Sequence, residues 1–140
     1  EAIAAGPAIG RAGQEAAHSP DGQALLALAG GQADSVTSEM VFAAARAGDA
    51  AAKRVVARAV QATATGVFNI VHFLAPDAIV LGGGVMRHFD LFEPALRSIL
   101  ARITVVPVEG LLLAPARLGQ DAGLLGAARL AALALEECHD

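Results

Sequence analysis

A single cysteine, no tryptophan, no tyrosine and only 4% aromatic residues set this 140-residue chain apart at first reading. One thiol, Cys138, cannot close an intramolecular disulfide. That excludes a crosslinked secreted scaffold and suits a reducing cytoplasm, the expected location. Scarce aromatics beside 55% hydrophobic residues, many of them alanine, favour closely packed helices over an all-β sandwich. Basic clusters are missing too: 10 Lys and Arg against 14 Asp and Glu give a net charge of -4, and no cationic face awaits nucleic acid. No uninterrupted apolar run reaches the roughly 20 residues that cross a bilayer, so no membrane partner is expected. His18, His88 and His139 have no ligand spacing to one another or to Cys138, and no metal is expected in this chain. Neither a Met nor a secretory signal opens the sequence at Glu1, and the expectation is a piece of something longer.

What is present is ordered by glycine and proline. The stretch from Glu1 to about Glu15 reads as two short helical pieces broken at Gly6-Pro7, with Pro7 in the first turn of the second. Ser19 to Ser35 is the loosest region, around an Ala/Leu helical segment. Thr37 or Ser38 caps a helix to Arg46, Glu39 lies favourably in its first turn, and Gly48 stops it. Asp49 caps the longest helix, which ends where Ala75-Pro76 forces an exit. Val56, Val60, Thr63, Val67, Ile70, Val71 and Leu74 form its inward stripe, and Ala62 with Gly66 allows a close neighbour. His72 near its end suits the last carbonyls better than catalysis.

Ala78–Leu81 reads as a short buried strand and Gly82-Gly83-Gly84 lifts the backbone off its end with no side chain in the way. A helix follows from Asp90 or just after, with Pro94 in its first turn and Leu96, Ile99, Leu100 and Ile103 inward. Pro107 and Gly110 bracket a turn before a second strand, Leu111–Ala114. A second glycine turn, Gly119–Gly123, leads into a terminal helix from about Ala122 to Glu137, with Gly126 as a contact point. Asp121 either points into a cleft or caps that helix. Strand, helix, strand implies parallel strands covered by helices. Ligands of such sheets bind beyond the carboxyl ends of the strands, where both glycine turns fall. A dinucleotide fingerprint is excluded because Arg87 stands where its third glycine belongs and no acid closes the second strand.

Ala45-Arg46-Ala47-Gly48-Asp49, Asn69 through Asp77, Ile79 through Met86 and Leu118 through Ala128 together resemble the C-terminal part of the ROK family of repressors, open reading frames and sugar kinases. The opening Glu1-Ala2-Ile3-Ala4-Ala5-Gly6-Pro7-Ala8-Ile9 looks like the segment after that family's zinc-binding cysteine motif. The resemblance implies an α/β fold, the C-terminal part of an actin-like (ribonuclease H-like) ATPase lobe, helix-rich with a short parallel sheet segment. It implies one domain over residues 1–140: a helical segment at 1–48 after the zinc motif and a nucleotide-binding strand-helix core at 49–140. Gly82, Gly83 and Gly84 would lie against the adenosine of ATP, and Glu1 would hydrogen-bond sugar hydroxyls. The family's phosphate loop, catalytic Asp and zinc ligands would all lie upstream, so no catalytic residue is expected here.

The implied activity is a glucokinase-like, ATP-dependent hexose kinase using Mg²⁺, with this chain inactive alone and its N-terminal lobe as partner. A homo-oligomer is expected. The alternative is the sugar-sensing lobe of a ROK-family transcriptional repressor, with DNA bound by an N-terminal helix-turn-helix domain. The intact glycine run favours the kinase. A lesser third reading is a dimerisation module of alanine-rich helices.

Overall fold

A computed structural model describes residues 2–106 and 108–137. Glu1, Pro107 and Cys138 lie outside the described residues. The chain makes six α-helices: α1 (Gly6–Ala17), α2 (Gln23–Leu28), α3 (Ser38–Arg46), α4 (Ala50–Leu74), α5 (Phe89–Leu100) and α6 (Ala122–Glu137). Two strands, β1 (Ala78–Leu81) and β2 (Leu112–Pro115), pair in parallel, with Ile79 opposite Leu113.

The helix boundaries follow local chemistry. Thr37 Oγ1 accepts from the Met40 amide at 3.3 Å, and Asp49 Oδ1 accepts from the Ala52 amide at 2.7 Å, so each cap satisfies a donor the helix cannot. Gly48 leaves α3 at φ +102°, a conformation that lets its own amide and that of Asp49 reach back to the Ala45 and Ala44 carbonyls. Ala75 ends α4 in the left-handed region at φ +42°, with Pro76 behind it to forbid continuation.

Helices α1, α3 and α5 all pack on α4. The seam is built of Val41, Phe42, Phe92, Ile9, Leu96 and Val71, which are fully buried, with alanines 51, 52, 59 and 64 buried on α4 itself. Burying a side chain such as Leu96 contributes about 2 kcal/mol. Ile79 and Leu113 join this core from the sheet.

Several expectations need correction. Only one helix forms near the start; residues 2–5 are turn and bend, and Pro7 sets the first turn of α1. Helix α5 begins at Phe89 directly from a 3₁₀ turn, Gly84–His88, so Pro94 lies inside the helix and not in its first turn. Burial of Phe92, Leu96 and Leu100 on the opposite flank outweighs the amide that Pro94 lacks. Strand β2 is shifted one residue, to Leu112–Pro115. Gly126 touches nothing, since a Cβ there would meet open space.

Ile70 and Leu74 leave the α4 stripe for the surface, where Leu74 is 72% and the neighbouring Phe73 88% exposed. Val80 and Leu112, facing away from Ile79 and Leu113, are 61% and 57% exposed. Parallel sheets are ordinarily covered on both faces. Here the face of Val80 and Leu112 is largely exposed, and α6 packs on the 3₁₀ turn that precedes it. Among the described residues, no helix is long and apolar enough to cross a membrane.

Two glycines should respond oppositely to a methyl group. At Gly22 an added Cβ would collide with the Ala16 carbonyl and lie 2.9 Å from Ala17 Cα, backbone that cannot yield. Gly22→Ala is expected to cost about 1–3 kcal/mol in urea unfolding. Gly66 lies mid-helix with nothing within 4 Å, so Gly66→Ala should stabilise the chain by about 0.5–1 kcal/mol. Two variants of equal stability would contradict this packing.

Candidate functional site

The sheet delivers both of its strand ends to one place. Beyond Leu81 the chain enters Gly82-Gly83-Gly84, while beyond Pro115 the Ala116 amide donates back to the Leu81 carbonyl at 2.8 Å. An added Cβ on Gly82 would sit 3.6 Å from Ala116 Cβ, an ordinary contact. Gly83 stands at φ +96°, ψ 169°, a region essentially reserved for glycine, and opens onto empty space. The 3₁₀ turn Gly84–His88 follows, closed by Met86 N–H donating to Gly83 O at 3.1 Å, and it packs against the second turn, Gly119–Asp121. Gly82 and Gly83 are exposed and Gly84 half-buried, so the main chain itself is the presented surface.

Beside this turn lies an open cavity of about 280 Å³ whose lining includes Gly6, Ser38, Glu39, Phe42, Gly84 and Arg87. It brings together the first turns of α1 and α3 and the glycine turn, three segments far apart in sequence. Two side chains of α3, Glu39 and Arg46, tie it to the segment after the glycines. Glu39 accepts from Arg87 Nη2 at 2.6 Å and faces His88 Nε2 at 3.1 Å, while the His88 ring stacks on buried Phe42 at 4.0 Å. Arg46 donates both guanidinium nitrogens to the two oxygens of Asp90, at 2.7 and 2.8 Å. Those hydrogen bonds, and then the Arg46 charge, hold the Asp90 carboxyl below the usual carboxylate range; the same bonds, and then the Asp90 charge, raise the Arg46 guanidinium.

Sequence reasoning located the three glycines but missed both ties. Glu39 reads locally as a first-turn acid, and nothing in its neighbourhood announces partners 48 and 49 residues away. The one available signal was the seven-residue spacing of Glu39 and Arg46, which puts both on one face of α3. His72 has a structural role: Nδ1 lies 2.9 Å from the Phe68 carbonyl, which can only accept. Glu1, the expected sugar contact, lies outside the described residues. Among the described residues no three His, Cys, Asp or Glu side chains converge.

A family model described as the ROK family matches residues 1–134. The chain belongs to the ROK family. Among curated ROK-like relatives, the glucokinase of Thermotoga maritima is 31% identical over 131 residues, spanning 93% of this chain and 41% of that protein. The β-glucoside kinase of Klebsiella pneumoniae is 37% identical over 98 residues, or 70% of this chain and 31% of that protein. A ROK family glucokinase from Streptomyces griseus, solved with glucose and AMPPNP, superposes with a TM-score of 0.77 at 28% identity, covering 93% of this chain and 43% of that one. The chain thus spans about two-fifths or less of these ROK proteins. Its architecture, helix-rich with a short parallel sheet, is that of the C-terminal part of an actin-like ATPase lobe.

The Arg46–Asp90 pair gives an acid-side signature. The carboxyl titrates lower in the folded chain than in the unfolded one, so the pair stabilises the fold above the unfolded carboxylate value. That contribution disappears as pH falls through the lowered folded value. Carbon-detected NMR should find the Asp90 midpoint below the ordinary aspartate value, and Arg46→Ala should move it back toward that value. An unmoved midpoint would refute the pairing.

Proposed function

We propose that this chain is the nucleotide-wall portion of an ATP-dependent hexose kinase, glucokinase-like and inactive alone. The observation that carries the reading is the glycine turn at the carboxyl end of β1. It is held in a glycine-only conformation yet has open space before it. It lies at the carboxyl end of a parallel strand, where ligands of such sheets bind, with Gly82 and Gly83 exposed. Relatives that are kinases, one solved with a sugar and an ATP analogue, supply the ligand class.

In this reading residues 1–140 form one unit, with the helical segment 1–48 leading to the strand-helix core 49–140. Gly82, Gly83 and Gly84 receive the flat adenosine face, because any Cβ there would stand in its way. The carboxylate of Glu1 accepts hydrogen bonds from adjacent sugar hydroxyls and so orients the hexose, with glucose the first substrate to test. Mg²⁺ neutralises the ATP phosphates when bound, on ligands outside this chain. Phosphoryl transfer depends on positioning and on stabilising the transferred charge. A base-cradling wall with one sugar contact does not supply that, so the remaining length of the kinase is its necessary partner.

The pure 140-residue chain is therefore expected to show no turnover of ATP with glucose, fructose, mannose or an N-acetylated hexosamine in a coupled assay; turnover would overturn the fragment reading. For the nucleotide contact, Gly82 is a cleaner probe than Gly83, whose φ of +96° makes any side chain strained whatever binds. Gly82→Ala fits the fold, so in the full-length kinase it should raise KM for ATP about tenfold, equivalent to about 1.4 kcal/mol, without moving KM for the sugar. An unchanged KM for ATP would sink the adenosine assignment.

A further inference from the structure

The 3₁₀ turn Gly84–His88 has no fully buried residue, although it directly follows the glycines and must hold them in place. Segments with few buried contacts open locally at low cost. Val85 and Met86 pack partly buried against the core, and polar contacts from α3 add a second restraint. Arg87 occupies the centre: its Nε donates to the Gly84 carbonyl at 3.3 Å while its Nη2 donates to Glu39 Oε1 at 2.6 Å. Glu39 Oε2 faces His88 Nε2 at 3.1 Å, and that ring is stacked on Phe42, a fully buried side chain of the core. One carboxylate thus bridges two consecutive residues of the turn, and through Arg87 it reaches the carbonyl of the third glycine. Arg46 and Asp90 make a second attachment two helical turns further along α3, about 10.5 Å away. The turn and the first turn of α5 that follows it are thereby both held to α3.

We propose that Glu39 is a positioning residue for the nucleotide wall, setting the orientation of Gly82, Gly83 and Gly84 through Arg87 and His88 without touching the ligand. The proposal rests on the nucleotide reading of the glycine turn. Glu39 and Arg87 are half-exposed, so their pairing contributes little to global stability. Its effect is local, which is what makes it separable by experiment.

Amide hydrogen exchange on the 140-residue chain reads the turn directly. Glu39→Gln should speed exchange at residues 85–89 about fivefold and leave α1 and α2 unchanged. In the full-length kinase the same variant should raise KM for ATP about fivefold, with kcat, KM for sugar and the melting midpoint unmoved. Arg87→Met should reproduce both effects, and the double variant should add nothing further. Wild-type exchange and KM in Glu39→Gln would overturn the proposal. So would a parallel change of every kinetic constant and of the melting midpoint, which marks a merely structural residue. A raised KM for ATP in Gly82→Ala with none in Glu39→Gln overturns the positioning role alone. An unchanged KM in Gly82→Ala removes the nucleotide reading and this proposal with it.

Discussion

Close approach of helices onto α4 is the constraint from which the rest of the structure follows. Its buried face is made of alanine and valine, and alanine brings neighbouring backbones near without adding bulk. The packing of α1, α3 and α5 on that face orients α3 toward the segment after β1 and sets Ile79 and Leu113 into the same core. The shortage of aromatic residues belongs to this design. Two buried phenylalanines, Phe42 and Phe92, meet between α3 and α5, and the rest of the core is aliphatic, from alanine to leucine.

From that core the chain builds outward to a surface made of backbone. Strand β1 contributes its carboxyl end, Gly83 the conformation that turns the main chain aside, and α3 the charged side chains that grip the following turn. A presented backbone cannot correct its own position by changing rotamer. Its geometry is inherited from what lies beneath and beside it, which is why polar contacts of small energetic weight can matter to such a site.

Much of this was legible in the residues. Thr37, Gly48, Asp49 and Pro76 punctuate α3 and α4 where the structure does, because caps and breakers act over one turn of chain. Strand β1 and helix α6 have the expected bounds for the same reason. Pro94 was misread because the 3₁₀ turn ahead of it starts the helical run earlier than a cap rule allows. Ile70 and Leu74 continue the helical period yet face solvent: periodicity tells which side is apolar, not whether anything covers it. The Glu39–Arg87 and Arg46–Asp90 ties were invisible because their partners meet only once α3 and α5 are packed.

Helix α6 carries the last consequence. Leucines 124, 125, 130, 133 and 135 point around its whole circumference, and all are exposed. A helix with a polar side announces which way to dock; one without it does not, and requires enclosure from several directions. Its seat is therefore chosen by whatever surrounds it. Apolar surface spread in this way is stabilised by cover on more than one side.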